Sequence, residues 1–168
     1  MASTGMGWAD FGPLRLPASK ASGPGVTEGQ VARCYARTPR GAVLALVNIS
    51  TRAANGPDWR SVVNQQVFPD AAKDVFERGT AANRSGKPDY PEKSNRMVPA
   101  GCKIVTFTPD SAVVDIAYRN PGGTATTVLM TARWHKGDWK QQMAPGGGVS
   151  ESVLSRFNTH GYILFPQE

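Results

Sequence analysis

Histidine and cysteine are scarce in this 168-residue chain, with two of each. Cys34 and Cys102 form no CxxC pair and have no nearby pair of histidines, so a zinc site is disfavoured and no metal is expected. His135 lies beside Trp134 at a turn and His160 lies beside a glycine. Neither has a Cys, Asp or second His at ligand spacing, so both read as exposed turn residues. Nucleophile signatures are missing too: there is no GxSxG and no Cys/His pattern. No GxGxxG or Walker pattern occurs, and the glycines at 146–148 have no strand feeding them and no Lys-Ser/Thr behind them. A cofactor is therefore not expected. Long apolar runs are absent as well. The longest, Gly41–Val47, falls far short of the ~20 residues that span a bilayer. The opening MASTGMGWADFG has neither a basic region nor an apolar core, which excludes a signal peptide. MASTG reads as a vector-derived start, with native sequence from about Trp8 and any membrane anchor upstream of it.

What is present suits one domain. Apolar residues make up 40% and charged residues 19%, and 18 glycines and 13 prolines promise generous loops. The net charge is +6, with a pI near 9.6. That balance permits contact with nucleic acid, an anionic surface or an acidic partner. The cations are scattered, however, in groups such as Arg33, Arg37 and Arg40, then Arg78, Arg84 and Lys87, then Lys93, Arg96 and Lys103. No dense run forms, and aromatics do not interleave with them, so direct nucleic-acid binding is disfavoured.

Along the chain, residues 1–29 read as an extended N-terminal arm, rich in proline and small residues, in which Leu14 and Leu16 suit a short strand or a tack onto the body. Residues 30–168 read as a single domain. Gln30–Tyr35 suits a lead-in strand. Thr38-Pro39 is an N-cap followed by proline at the first helical position, and Ala42, Val43, Leu46, Val47 and Ile49 mark a buried helix face. A second helix is expected from Pro57 to about Val67 and a third over Asp70–Gly79. A polar linker covers Thr80–Val98.

The period then changes. Cys102–Thr108 and Ser111–Arg119 alternate, Asn120–Gly123 is a hairpin turn, Thr124–Trp134 is rich in β-branched residues, and Lys136–Asp138 turns into Trp139–Met143. These predict a four-stranded antiparallel meander. A short helix is expected at Ser150–Phe157, and a strand or docked tail at Gly161–Phe165. Helices followed by a meander predict an α+β fold, with the helices on one face of a curved antiparallel sheet.

Few side chains stand out as candidates for chemistry. Asp110 and Asp138 sit in turns, where aspartate bonds the local backbone. Asp115 lies mid-strand, and on a concave sheet face it would be a general base. A solvated or ion-paired position is the preferred reading. If the domain encloses a pocket, Asp115, Tyr118, Trp134 and His135 are the residues expected to line it. Trp134 and Trp139 flank the HKGD turn and should lie on neighbouring strands as a hairpin pair. A disulfide between Cys34 and Cys102 would fit an extracytoplasmic domain, although two separate buried thiols are favoured over it.

Four segments carry a family resemblance: LPASKASGPG, CYARTPRGAVLALVNISTR, FTPDSAVVDIAYRNPGG and TARWHKGDWKQQMAPGG. Together they resemble the extracytoplasmic domain of an uncharacterised actinobacterial family, membrane-anchored and carried on integrative and conjugative elements. Thr38, Pro39, Gly41 and Ala42 match its capped helix start, and Trp134, Gly137, Asp138 and Trp139 match its hairpin. The resemblance implies a nuclear-transport-factor-like (cystatin-like) cone, as in type IV secretion assembly factors. It also implies a non-enzymatic scaffold outside the membrane that contacts other protein components of a transfer complex or forms a homo-oligomer. It carries over no catalytic residue. The alternatives are a small-molecule-binding or isomerase-like cone-fold enzyme, and a structural protein of a phage or other mobile element.

Overall fold

The computed structural model describes residues 1–167. These residues form a mixed α+β fold, with three α-helices and antiparallel sheets among them.

Helix α1 (Pro39–Ala54) begins where the sequence predicts. The Thr38 hydroxyl accepts the Gly41 amide at 3.1 Å, and Pro39 fills a position whose N–H would be unsatisfied anyway. One buried face was expected; instead every residue from Gly41 to Ile49 is buried. A helix that is apolar all round must be enclosed on all sides. Here the sheet covers α1 from one side, and α2 and the N-terminal strands cover it from others. Helix α2 (Trp59–Gln66) and helix α3 (Ala71–Arg84) follow, α3 capped by the Asp70 carboxylate on the Lys73 amide. Helix α3 runs past Gly79 to Arg84, because Thr80, Ala81, Ala82 and Asn83 tolerate helix well enough to continue it.

The N-terminal arm is extended and paired on itself. Strand β1 (Gly7–Phe11) forms a hairpin with β2 (Leu14–Ala18), and β3 (Val26–Glu28) forms another with β4 (Val31–Arg33). Phe11 and Leu16 enter the main core. Polar groups fix the arm to α1: Asn48 Nδ2 donates to the Pro17 carbonyl at 3.0 Å, Arg52 Nη1 donates to the Gln30 carbonyl at 3.2 Å, and the Arg52 guanidinium lies 4.6 Å over the Phe11 ring.

The main sheet contains β5 (Val98–Thr108), β6 (Ser111–Arg119), β7 (Ala125–His135), β8 (Asp138–Gln142), β9 (Ser150–Leu154) and β10 (Ile163–Leu164). Its order is β10-β5-β6-β7-β8, with β9 also paired to β7. The expected meander is therefore present as β5 to β8. Register shifts in β5 at Pro99/Gly101 and Ile104/Thr106 mark bulges, which bend a strand.

The expected helix at Ser150–Phe157 is corrected by the structure: Ser150–Leu154 is strand β9. The reason lies in β7. Five-residue β8 pairs with Thr131–His135 only, leaving the Ala125–Leu129 backbone open, and β9 pairs along that half. A helix of two turns, exposed throughout, could not offset the cost of nucleation.

Candidate functional site

A broad cleft sits where the two ends of the chain meet the sheet. It measures about 530 Å³ and is assembled from four separate stretches of sequence. Strand β1 contributes Trp8, and the turn before β5 contributes Lys93 and Arg96. The start of β5 contributes Val98, Pro99 and Ala100. The β6–β7 turn contributes Arg119, Asn120 and Pro121, and the tail contributes Phe165, Pro166 and Gln167.

Local contacts position each wall. The Trp8 indole N–H donates to the Pro166 carbonyl at 3.2 Å, joining arm to tail. The tail lies close to β5 because residue 101 is glycine: a Cβ there would stand 2.8 Å from the Ile163 carbonyl oxygen. The Phe165 amide then donates to the Ala100 carbonyl at 3.0 Å, which seats Phe165 in the core and leaves Pro166 and Gln167 on the cleft. Asn120 is held by Thr124 and Thr126 through its side-chain amide, at 3.1 and 2.9 Å.

Among the described residues, the charge in this cleft has one sign. Arg96 donates to the Pro91 and Pro13 carbonyls, at 3.2 and 3.3 Å, so its position is fixed by neutral acceptors and its charge is not cancelled. Lys93 and Arg119 are exposed and have no ion-pair partner among the described residues. No described carboxylate lines the cleft. A smaller cleft of about 290 Å³ at α2 and α3 differs in this respect, because Arg60 and Arg78 share it with Asp74 and Glu77, and Arg60 pairs with Glu77 at 3.3 Å.

None of the four pocket candidates from the sequence, Asp115, Tyr118, Trp134 and His135, lines the larger cleft. Asp115 and Tyr118 lie on opposite faces of β6. The Asp115 carboxylate accepts the Tyr162 hydroxyl on the face away from α1. Tyr118 is buried, which pushes its phenol upward, with the Ser50 and Thr51 side chains pulling the other way. Trp134 pairs edge-on with Trp139 across the hairpin, ring centroids 5.3 Å apart, and carries the Arg37 guanidinium over its ring at 5.1 Å. His135 packs edge-on against Phe68 at 5.3 Å. These four are structural neighbours of different elements and do not converge on one space.

The cysteines also differ from expectation. Both are free thiols, so the candidate disulfide is not formed. Cys102 is buried in the core, which pushes its thiol up to about 12. Cys34 is exposed, where a buried thiol was favoured. It stands in the left-handed region at φ 67, beside the loop that Asp138 fastens. Among the described residues there is no cluster of three or more His, Cys, Asp or Glu that could hold a metal, and no helix long and apolar enough to cross a membrane.

The cleft went unmarked in the sequence because its parts lie far apart. Lys93 and Arg96 were visible only as scattered cations, and nothing local connects them with Arg119, Trp8 or the terminal prolines. The family model described as a domain of unknown function (DUF8175) matches residues 1–163, and the chain belongs to that family. No curated protein and no solved structure matches the chain.

Proposed function

We propose that this member of the DUF8175 family is a non-enzymatic docking domain whose working surface is the cationic cleft between the N-terminal hairpin and the C-terminal tail. The observation that carries the reading is the cleft's make-up: three uncancelled cations around an apolar floor, with no described carboxylate facing them. Such a surface attracts and orients an anionic partner, and it offers no general base or nucleophile. The side chains best suited to chemistry are engaged elsewhere. The Asp115 carboxylate holds Tyr162, and Asp138 accepts three backbone amides.

The finer placement rests on the sequence resemblance. In it, the domain is a nuclear-transport-factor-like cone on the extracytoplasmic face of the cell membrane, held there by a native anchor. It serves as a scaffold among the protein components of a conjugative, type IV secretion-like DNA-transfer apparatus. Three helices ahead of a bulged antiparallel sheet support the cone.

The test is site-specific photo-crosslinking in the native host. A crosslinker placed at Pro121, in the cleft, should capture a protein of the transfer apparatus, and one at Arg78, on α3, should not. Equal capture from both positions, or none from Pro121 while the element still transfers, would remove the cleft from the account.

A further inference from the structure

We infer that the occupant of the cleft is an extended acidic peptide segment of another protein, its carboxylates on Lys93, Arg96 and Arg119 and its apolar residues on the floor between them. This rests on the docking reading above and adds the chemical class of the partner.

Three features single out this class. The first is charge: Lys93 and Arg119 have no ion-pair partner among the described residues, and Arg96 is held by carbonyls alone. Charge of one sign around a cleft selects the opposite sign in a ligand and speeds encounter with it. The second is where the cations stand. Lys93 and Arg119 are exposed at the rim, whereas the floor is buried Pro99 and Phe165 with half-buried Pro166. Cations converging inside a pocket would suit a small anion. Rim cations around an apolar floor suit a chain that alternates carboxylates with apolar side chains. The third is the apolar surface running outward from the cleft, where Met97 is 49% and Val98 is 39% exposed. These two side chains extend the apolar surface that a partner's apolar residues could cover.

The same features disfavour nucleic acid and membrane. A single-stranded nucleic acid needs successive aromatic platforms along a cationic track. The cleft has Trp8 as its one large aromatic platform besides the buried Phe165, and the Trp8 indole is already engaged by Pro166. A bilayer surface is met by a protruding apolar face, and this site is concave.

The experiment uses the whole chain and a short fluorescent peptide in which Glu alternates with Pro and Leu. The controls are the same peptide with Gln for Glu, a short oligothymidine, and vesicles rich in phosphatidylglycerol. The acidic peptide should bind and the Gln peptide should not. Binding should weaken as salt rises from ~0.05 to ~0.5 M, where the screening length shortens several-fold. Arg119→Glu and Lys93→Glu should each weaken it about tenfold while leaving the thermal melt unchanged. Tighter binding of oligothymidine or vesicles would overturn the inference, as would peptide binding indifferent to both substitutions. If the peptide fails but a crosslinker at Pro121 still captures an apparatus protein, only the acidic class falls. If both fail, the docking reading falls with it.

Discussion

Asp138 and Tyr35, 103 residues apart in the chain, are joined at the centre of the molecule: the Asp138 carboxylate accepts the Tyr35 backbone amide at 3.0 Å. The same carboxylate accepts the amides of Cys34 at 2.8 Å and Trp139 at 2.9 Å. It therefore fastens the segment leading into α1 to the hairpin that ends β7. The Trp139 indole reinforces the join by donating to the Ala36 carbonyl at 2.9 Å. Asp138→Ala would orphan amides in a largely dry setting, where charged hydrogen bonds contribute most. The expected loss is about 3 kcal/mol of unfolding free energy, with Asp138→Asn costing less because its amide oxygen still accepts. Urea unfolding of the two variants checks both the size and the order.

Two glycines should respond in opposite directions. A Cβ on Gly41 would lie 1.8 Å from the Ala36 carbonyl oxygen, so Gly41→Ala must push the α1 lead-in aside and should cost about 3 kcal/mol. A Cβ on Gly79, inside α3, meets nothing within 4 Å, so Gly79→Ala should stabilise the protein by roughly 0.4–1 kcal/mol. Thermal unfolding of the pair reads out both signs.

The two thiols should be kinetically distinct. Cys34 is exposed and should react promptly with a thiol reagent near pH 8; Cys102 should react only after unfolding. Burial raises Cys102 from an ordinary 9.0 to about 12. The folded thiol thus stays protonated where the unfolded one ionises, so its contribution is intact below pH 9.0 and is lost as pH climbs toward 12. Buried Tyr35 and Tyr118 shift the same way and add to the decline at higher pH. Stability measured against pH should fall on the alkaline side, and Cys102→Ala should remove the earliest part of that fall.

Tyr162 reports on the tail. Burial, then the hydrogen bond and charge of Asp115, push its phenol from 10.0 to about 12. Asp115→Asn removes the carboxylate's charge and keeps the burial, so the phenol should titrate between those two values. An NMR titration of the Tyr162 ring would show this shift, and an unchanged value would mean that the pair does not form in solution.

The parts of the fold legible in the sequence were those set by local physics. Thr38-Pro39 started α1 where it was expected, and the NPGG and HKGD turns placed β6, β7 and β8. What failed was non-local. SESVL reads as a capped helix in isolation and becomes β9 because β7 has an open half that only the tertiary fold reveals. Burial of α1 on all sides needed knowledge of α2 and the arm. The site was the least legible part. Asp115 and Tyr118 are neighbours in sequence on opposite faces of one strand, whereas Trp8 and Pro166 touch across the whole length of the chain.

Four distant segments thus form one acidic-peptide site, apart from the pocket residues the sequence suggests. The most direct test is an NMR titration of the labelled chain with the acidic peptide. The Trp8 indole, Ala100, Arg119, Asn120 and Gln167 signals should move together and saturate at one concentration, while those of His135 and Asp115 stay in place. Shifts centred on Asp115 and Tyr162 or on His135, or no saturable shift at the cleft, would contradict it.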